Sequence, residues 1–172
     1  MCVRASYLLI GAVEGPAAPR VRCLDIILIG GLWLPRSIWT DVCGELESHE
    51  HRPLPVALPG VDDASTTATL ADQVTAVLAA LDDADRPMVV GHSAACTLAW
   101  MIADRRPDTI SRVVLVGGFP SSEGDAYADL FPTVDGVMAF PGWARFEGAD
   151  AADLNQADRE RIASGAVPVP EG

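Results

Sequence analysis

The run Met88-Val89-Val90-Gly91-His92-Ser93-Ala94-Ala95-Cys96 limits the possible folds of this chain more than any other stretch. A short apolar segment ends at a serine flanked by small residues, and the helix-forming Thr97-Leu98-Ala99-Trp100-Met101-Ile102-Ala103 follows at once. A strand that turns directly into a helix strains the backbone of its corner residue and lifts that side chain clear of the sheet. Gly91 and Ala95, two positions to either side of Ser93, lack the bulk that would collide in so sharp a turn. The turn also leaves the amide of Ala94 at a helix start, unpaired and aimed where an oxyanion would form. The usual form of such a corner is G-x-S-x-G, and here its last glycine is Ala95.

The remaining periodicities place this corner in a parallel sheet. Asp25-Ile26-Ile27-Leu28-Ile29 is a continuous apolar run, as expected of a central strand covered on both faces, and it ends in Gly30-Gly31-Leu32-Trp33. The spacing of Ile38, Val42 and Leu46 predicts a helix over 37–48 with Ser37 as N-cap. A second strand is predicted over 54–58, closed by Pro59-Gly60. Thr69 or a neighbour caps an amphipathic helix over 70–81, with Leu70, Val74, Val77, Leu78 and Leu81 on one side. Arg106-Pro107 stops the helix behind the serine, and Val113-Val114-Leu115-Val116 adds a strand ending at Gly117-Gly118. Strands alternating with helices in this way mean βαβ units, whose ligands bind beyond the carboxyl ends of the strands. Gly30-Gly31, Pro59-Gly60, Ser93 and Gly117-Gly118 all fall at those ends.

Residues 1–24 read as a peripheral hairpin or extension and 25–120 as the core. From 121 to 172 the pattern is irregular, with periodicity returning only over 153–163. Tyr127, Phe131, Phe140, Trp143 and Phe146 concentrate there, with Phe119 just before, so 121–172 reads either as a partial lid over a substrate pocket or as cover for the sheet. Trp33, Phe119, Phe140 and Trp143 are the candidate pocket residues. The net charge of −12 argues against nucleic acid and anionic membranes as partners. No apolar run reaches the ~20 residues of a membrane span. Cys2, Cys23, Cys43 and Cys96 lack a CxxC pair or zinc-like spacing, which favours a reducing cytoplasm and gives no metal site. Cys96 is expected to be a small buried hydrophobe.

Four stretches, in order, give the chain a family. It resembles the α/β-hydrolase fold superfamily, a doubly wound, mostly parallel sheet, with a flavour similar to small-molecule esterases and the plant methylesterase and hydroxynitrile lyase branch. Ile29-Gly30-Gly31-Leu32-Trp33 with Trp39 downstream looks like the H-G-x-x segment, with Gly30 where the family usually has histidine. Leu58-Pro59-Gly60-Val61-Asp62-Asp63-Ala64-Ser65 looks like the D-x-P-G-x-G-x-S loop, Gly91-His92-Ser93-Ala94-Ala95 is similar to the nucleophile elbow, and Arg112 to Gly118 resembles the next strand. The resemblance implies Ser93 as nucleophile, the amides of Leu32 and Ala94 as oxyanion hole, and Gly30, Gly31, Gly91, His92 and Ala95 as supporting turns. It implies a small-molecule acyl substrate and no metal or organic cofactor.

A base for Ser93 is harder to find. His92 is its neighbour, and adjacent side chains at a strand end point apart; His49 and His51 sit in the turn before the second strand, at the opposite edge. The family places its acid and then its histidine after the serine, and no histidine follows His92. The strand over 113–116 is apolar on both faces and expects a neighbour. Both points lead us to expect the C-terminal acid and histidine region to be absent, as in a truncated hydrolase, with self-association through the bare strand edge as one outcome. Glu123 or Asp125 is a conceivable acid, against the simpler reading of solvated carboxylates. Three functions follow: a serine hydrolase of small esters, a non-catalytic small-ligand binder on the same fold, or a βα turn of a nucleotide-binding sheet. The last lacks both a G-x-G-x-x-G after the first strand and a Walker-type Lys-Ser.

Overall fold

The computed structural model describes residues 23–122, 124, 127, 131–146, 148 and 151–170. Glu123, Asp125, Cys2 and the expected N-terminal hairpin lie outside the described residues. Four strands, β1 (Asp25–Ile29), β2 (Arg52–Pro55), β3 (Met88–His92) and β4 (Arg112–Val116), form one parallel sheet in the order β2-β1-β3-β4. The apolar strand segments alternate between two helix layers. Ile27, Ile29 and Val89 face the cluster that holds Val74, Val77 and Leu81 of α2 (Leu70–Asp82) and Leu98 and Ile102 of α3 (Ala95–Arg105). Ile26, Leu28 and Val90 face the smaller cluster that holds Cys43 and Leu46 of α1 (Thr40–Ser48), with Trp39 beside them. Period-2 alternation thus serves two buried faces, which is why each strand reads as continuously apolar.

The second strand begins two residues earlier than its apolar content suggests. The amides of Arg52 and Val56 donate to the carbonyls of Leu24 and Leu28, so alternate positions of β2 face β1. Pro53 and Pro55 fall between them, where an N–H would point away from the sheet, and a proline there leaves the edge without donors. Arg52 also pairs with Asp25 across the ladder at 3.1 Å. Hydrogen-bond phase, not side-chain hydrophobicity, starts this strand.

Helix α2 is capped as its sequence predicts: the Thr69 hydroxyl accepts from the Asp72 amide while Asp72 accepts from the Thr69 amide. Ser37 does not cap α1. It sits in a 3-10 turn over Arg36–Trp39, where its carbonyl accepts from the Thr40 hydroxyl, and no side chain caps α1. Val42 is 41% exposed, so α1 meets the sheet through the half-buried Cys43 and Leu46 instead.

Beyond β4 the chain forms two short antiparallel strands, β5 (Val137–Met138) and β6 (Val169–Pro170), a 3-10 turn over Trp143–Arg145 and helix α4 (Gln156–Gly165). These form a partial lid. Trp33, on the loop after β1, packs against Phe131, Phe140 and Phe146 of this segment. Among the described strands β4 pairs only with β3, and Trp100, Val116 and Phe119 are exposed near that edge. Among the described residues no helix is long and apolar enough to cross a membrane.

Candidate functional site at the corner of strand 3

The chain runs from β1 to β2 in one direction across the sheet and from β3 to β4 in the other, so the order reverses between β1 and β3. In such a sheet a crevice opens beyond the carboxyl ends of the two strands at the reversal. Gly30-Gly31 follows β1 and Ser93 follows β3, and they meet there. A Cβ added to Gly31 would lie 2.9 Å from the Ser93 Cβ and 3.0 Å from the His92 carbonyl oxygen, so the two turns touch only because residue 31 has no side chain.

Ser93 has φ 55°, the left-handed region that costs an L-residue roughly 1–2 kcal/mol. Two main-chain hydrogen bonds and two close glycine contacts hold it there. The Ser93 amide donates to the Val116 carbonyl at 2.8 Å, which extends the β3–β4 ladder into the turn. The Ser93 carbonyl accepts from the Cys96 amide at 3.0 Å, which starts the helix. Gly91 lies against the Ala95 carbonyl, where a Cβ would sit at 2.5 Å, and Gly118 lies against the Ser93 carbonyl at the same distance. Ala95 is fully buried beneath the corner, as is Cys96, whose thiol donates to the Gly91 carbonyl at 3.3 Å. Burial raises the Cys96 pKa, so this thiol stays protonated.

The turn opens into a cavity of about 480 Å³ lined by Ser93, His92, Trp33, Phe140, Trp143 and Asp153, among others. Leu32, next to Trp33 in the loop after β1, is buried, and neither the Leu32 nor the Ala94 amide has a hydrogen-bond acceptor among the described residues. Trp33 also has a left-handed φ, 65°, and its strain is held by the lid: its indole N–H donates to the Met138 carbonyl at 2.9 Å, and its own carbonyl accepts from the Val167 amide at 3.1 Å. Gly30 is held tightly in the same loop, since a Cβ there would meet the Leu34 carbonyl at 2.6 Å. The neighbouring loop is fastened through carboxylates. Asp62 accepts from the Leu58 and Arg36 amides, and Asp63 from the Gly60 and Ser65 amides, which lowers the Asp63 pKa.

Of the four aromatic residues expected in the pocket, Trp33, Phe140 and Trp143 line the cavity. Phe119 does not: it is 89% exposed, because the chain leaving β4 through Gly117, at φ 61°, turns it outward. Sequence reasoning missed Leu34, Ile38, Asp153, Leu154 and Ile162, which reach the cavity from three separate segments. Ile162 was legible as one apolar position in an otherwise polar helix. Asp153 carries no local signal. His92 lines the cavity beside the serine, with its ring edge-on to Trp39 at 6.4 Å, and burial lowers its pKa. His49 pairs with Glu45 and His51 precedes β2, both at the amino edge of the sheet. No imidazole or carboxylate hydrogen-bonds to the Ser93 hydroxyl among the described residues.

A serine at a strained strand-to-helix corner, at the reversal of a doubly wound parallel sheet and beneath an aromatic lid, defines the α/β-hydrolase class of architecture. The chain belongs to the alpha/beta hydrolase family, whose model matches residues 26–170. Solved structures give the same fold. An extracellular alpha/beta-hydrolase from a Paenibacillus species, described as sharing structural and functional homology with tobacco salicylic acid binding protein 2, is similar with a TM-score of 0.74 at 21% identity over 86% of this chain and 67% of that one. Polyneuridine aldehyde esterase is similar with a TM-score of 0.63 at 16% identity, over 87% and 70%. A T18A mutant of tomato methylketone synthase I is similar with a TM-score of 0.66 at 11% identity, over 87% and 68%. The chain therefore spans about two-thirds of the length of these relatives. No curated protein matches it significantly.

Proposed function

We propose that the chain is a serine hydrolase of small apolar esters, with Ser93 as nucleophile. The observation that carries the reading is the strained Ser93 corner, which opens into an apolar cavity beside two amides that have no acceptor among the described residues. In this mechanism the Ser93 hydroxyl oxygen attacks the ester carbonyl and its proton passes to a general base. The Leu32 and Ala94 amides donate to the developing oxyanion, each contributing about 3 kcal/mol to the transition state. The alcohol leaves with a proton, and water releases the acid from the acyl-serine. Backbone donors make the hole, so glycine in place of histidine at position 30 does not impair it. The esterase among the solved relatives supports an ester as substrate class. The free thiols of Cys23, Cys43 and Cys96 support a reducing, cytoplasmic setting.

One observation favours a second reading. The Ser93 hydroxyl has no imidazole or carboxylate partner among the described residues, and an unassisted serine is a poor nucleophile. A non-catalytic protein that holds a small apolar ligand in the same cavity fits that fact. A fluorophosphonate probe separates the two. Labelling of the wild-type chain that disappears in Ser93→Ala, with ester hydrolysis falling by about 10⁴-fold or more, supports the hydrolase. An unlabelled protein that still binds a short ester supports the binder, and equal labelling of both chains rules out Ser93.

A further inference from the structure

We infer that Arg159 is the positioning residue of the substrate pocket: it locks Trp143 and the turn over 151–154 into one wall of the Ser93 cavity, and this rests on that cavity being where the substrate sits. Trp143, Leu154 and Ile162 line the cavity from three separate segments of the lid. These are the 3-10 turn over Trp143–Arg145, the turn over 151–154 and helix α4. The β5–β6 pairing spans two residues on each strand and includes none of the three. Arg159 belongs to α4 and bonds to both of the other segments.

The half-buried Arg159 side chain reaches back out of its own helix. Its Nε donates to the Leu154 carbonyl at 3.2 Å and its Nη2 to the Ala151 carbonyl at 2.6 Å. Its Cζ lies 5.7 Å from the centroid of the Trp143 ring, within the reach of a cation–π contact. The Trp143 indole N–H donates in turn to the Arg159 carbonyl at 3.0 Å, so the ring is held by its face and by its edge. Trp143 then meets Phe140 edge-on at 5.5 Å and Phe146 at 6.3 Å, which carries its placement into the rings that line the cavity. Helix stability does not call for a cation here, because the amino end of a helix favours an acid, and Asp158 already supplies one. Among the described residues Arg159 forms no ion pair, and Arg161 makes those of α4, with Asp158 and Asp41. The Arg159 charge is directed instead at two carbonyls and a ring, which a planar fork can reach together and a lysine cannot.

The test begins with the steady-state hydrolysis of p-nitrophenyl butyrate by the full chain. Arg159→Met keeps the aliphatic stem and removes both donors. It is expected to raise KM by about tenfold and to change kcat by less than about twofold, since a displaced wall weakens binding of substrate and transition state alike. Arg159→Lys keeps the charge but loses the fork, and is expected to raise KM nearly as far. A wild-type KM in Arg159→Lys overturns the inference, and so does a fall in kcat at unchanged KM in Arg159→Met, which is the mark of lost folded protein alone. A second readout needs no catalysis. In the chain labelled with fluorotryptophan, the fluorine NMR line that disappears in Trp143→Phe belongs to Trp143, and the line that disappears in Trp39→Phe belongs to Trp39, on the other face of the sheet. Arg159→Met is expected to move the Trp143 line toward that of the free amino acid and to leave the Trp39 line in place. An unmoved Trp143 line, or equal movement of both, overturns the inference. If the wild-type chain neither hydrolyses an ester nor takes the fluorophosphonate, the nucleophile reading fails separately, and the fluorine lines alone decide whether Arg159 holds Trp143.

Discussion

The corner at Ser93 and the aromatic lid above it face the same cavity but are held in place by different means. The corner is fixed by the main chain: glycines at 31, 91 and 118 admit close approach, and the ladder to β4 runs on into the Ser93 amide. The lid is fixed by side chains. Its two strands pair over two residues each, and its cohesion comes from stacked and edge-on rings around Trp33, Phe140, Trp143 and Phe146. A corner made from backbone tolerates no added atom, whereas a layer of rings tolerates exchange of shape for shape. The lesson is that the two walls of one site should respond to substitution on different scales.

The largest effect is expected at the corner. In Gly91→Val the first added carbon alone falls within 2.5 Å of the Ala95 carbonyl oxygen and 2.9 Å of the Ala99 methyl. Neither neighbour is a flexible chain end, so the start of α3 must shift. We expect a loss of about 3 kcal/mol or more, seen as a lower urea midpoint. A loss below ~1 kcal/mol would mean that the corner is as adaptable as the lid, and the contrast would collapse.

A smaller effect is expected where the two walls are tied together. Trp33→Phe keeps a ring among Phe131, Phe140 and Phe146 but removes the donor to the Met138 carbonyl, in a residue that is buried. Loss of that donor is expected to cost about 2 kcal/mol. It also frees the loop that presents the Leu32 amide, so amide exchange at positions 32 and 33 should speed up more than exchange in β3. Uniform acceleration throughout the sheet would show that the bond stabilises the whole fold rather than fixing the loop.

The same division explains what was legible in the sequence. The β1, α2 and β4 segments and the Ser93 corner are encoded locally, by apolar runs, a Thr69–Asp72 capping pair and glycines at fixed offsets, and the structure places them within about a residue of their expected ends. The strand expected over 54–58 lies at Arg52–Pro55 because hydrogen-bond phase rather than apolar content sets it, and prolines at 53 and 55 are compatible with an edge ladder. Two-residue strands such as β5 and β6 have no period to detect. Phe119 shares its composition with the lid aromatics but leaves the sheet through a left-handed glycine, a turn direction that hydrophobicity does not carry. Asp153 and Ile162 reach the cavity through contacts distant in sequence, for which no alternation or spacing exists.

The smallest expected effect sharpens the comparison through charge. His92 lies at the corner between Trp39, Gly31 and Gly117, and its burial lowers its pKa below the ordinary value of about 6.5. Asp153 is the other ionisable group lining that cavity among the described residues, and it belongs to the lid. With the folded value depressed, the unfolded chain binds more protons than the folded one between the two values. Stability from this group is therefore complete above about pH 6.5 and declines as pH falls toward the folded value. The wild-type urea midpoint should drop between pH 7.5 and 5.5 more than that of His92→Gln, whose side chain does not titrate. Equal slopes would mean that the imidazole takes up its proton in place, with the lid moving enough to admit water or to bring Asp153 against it. The corner would then depend on the lid for its electrostatics as the loop at Trp33 depends on it for its shape.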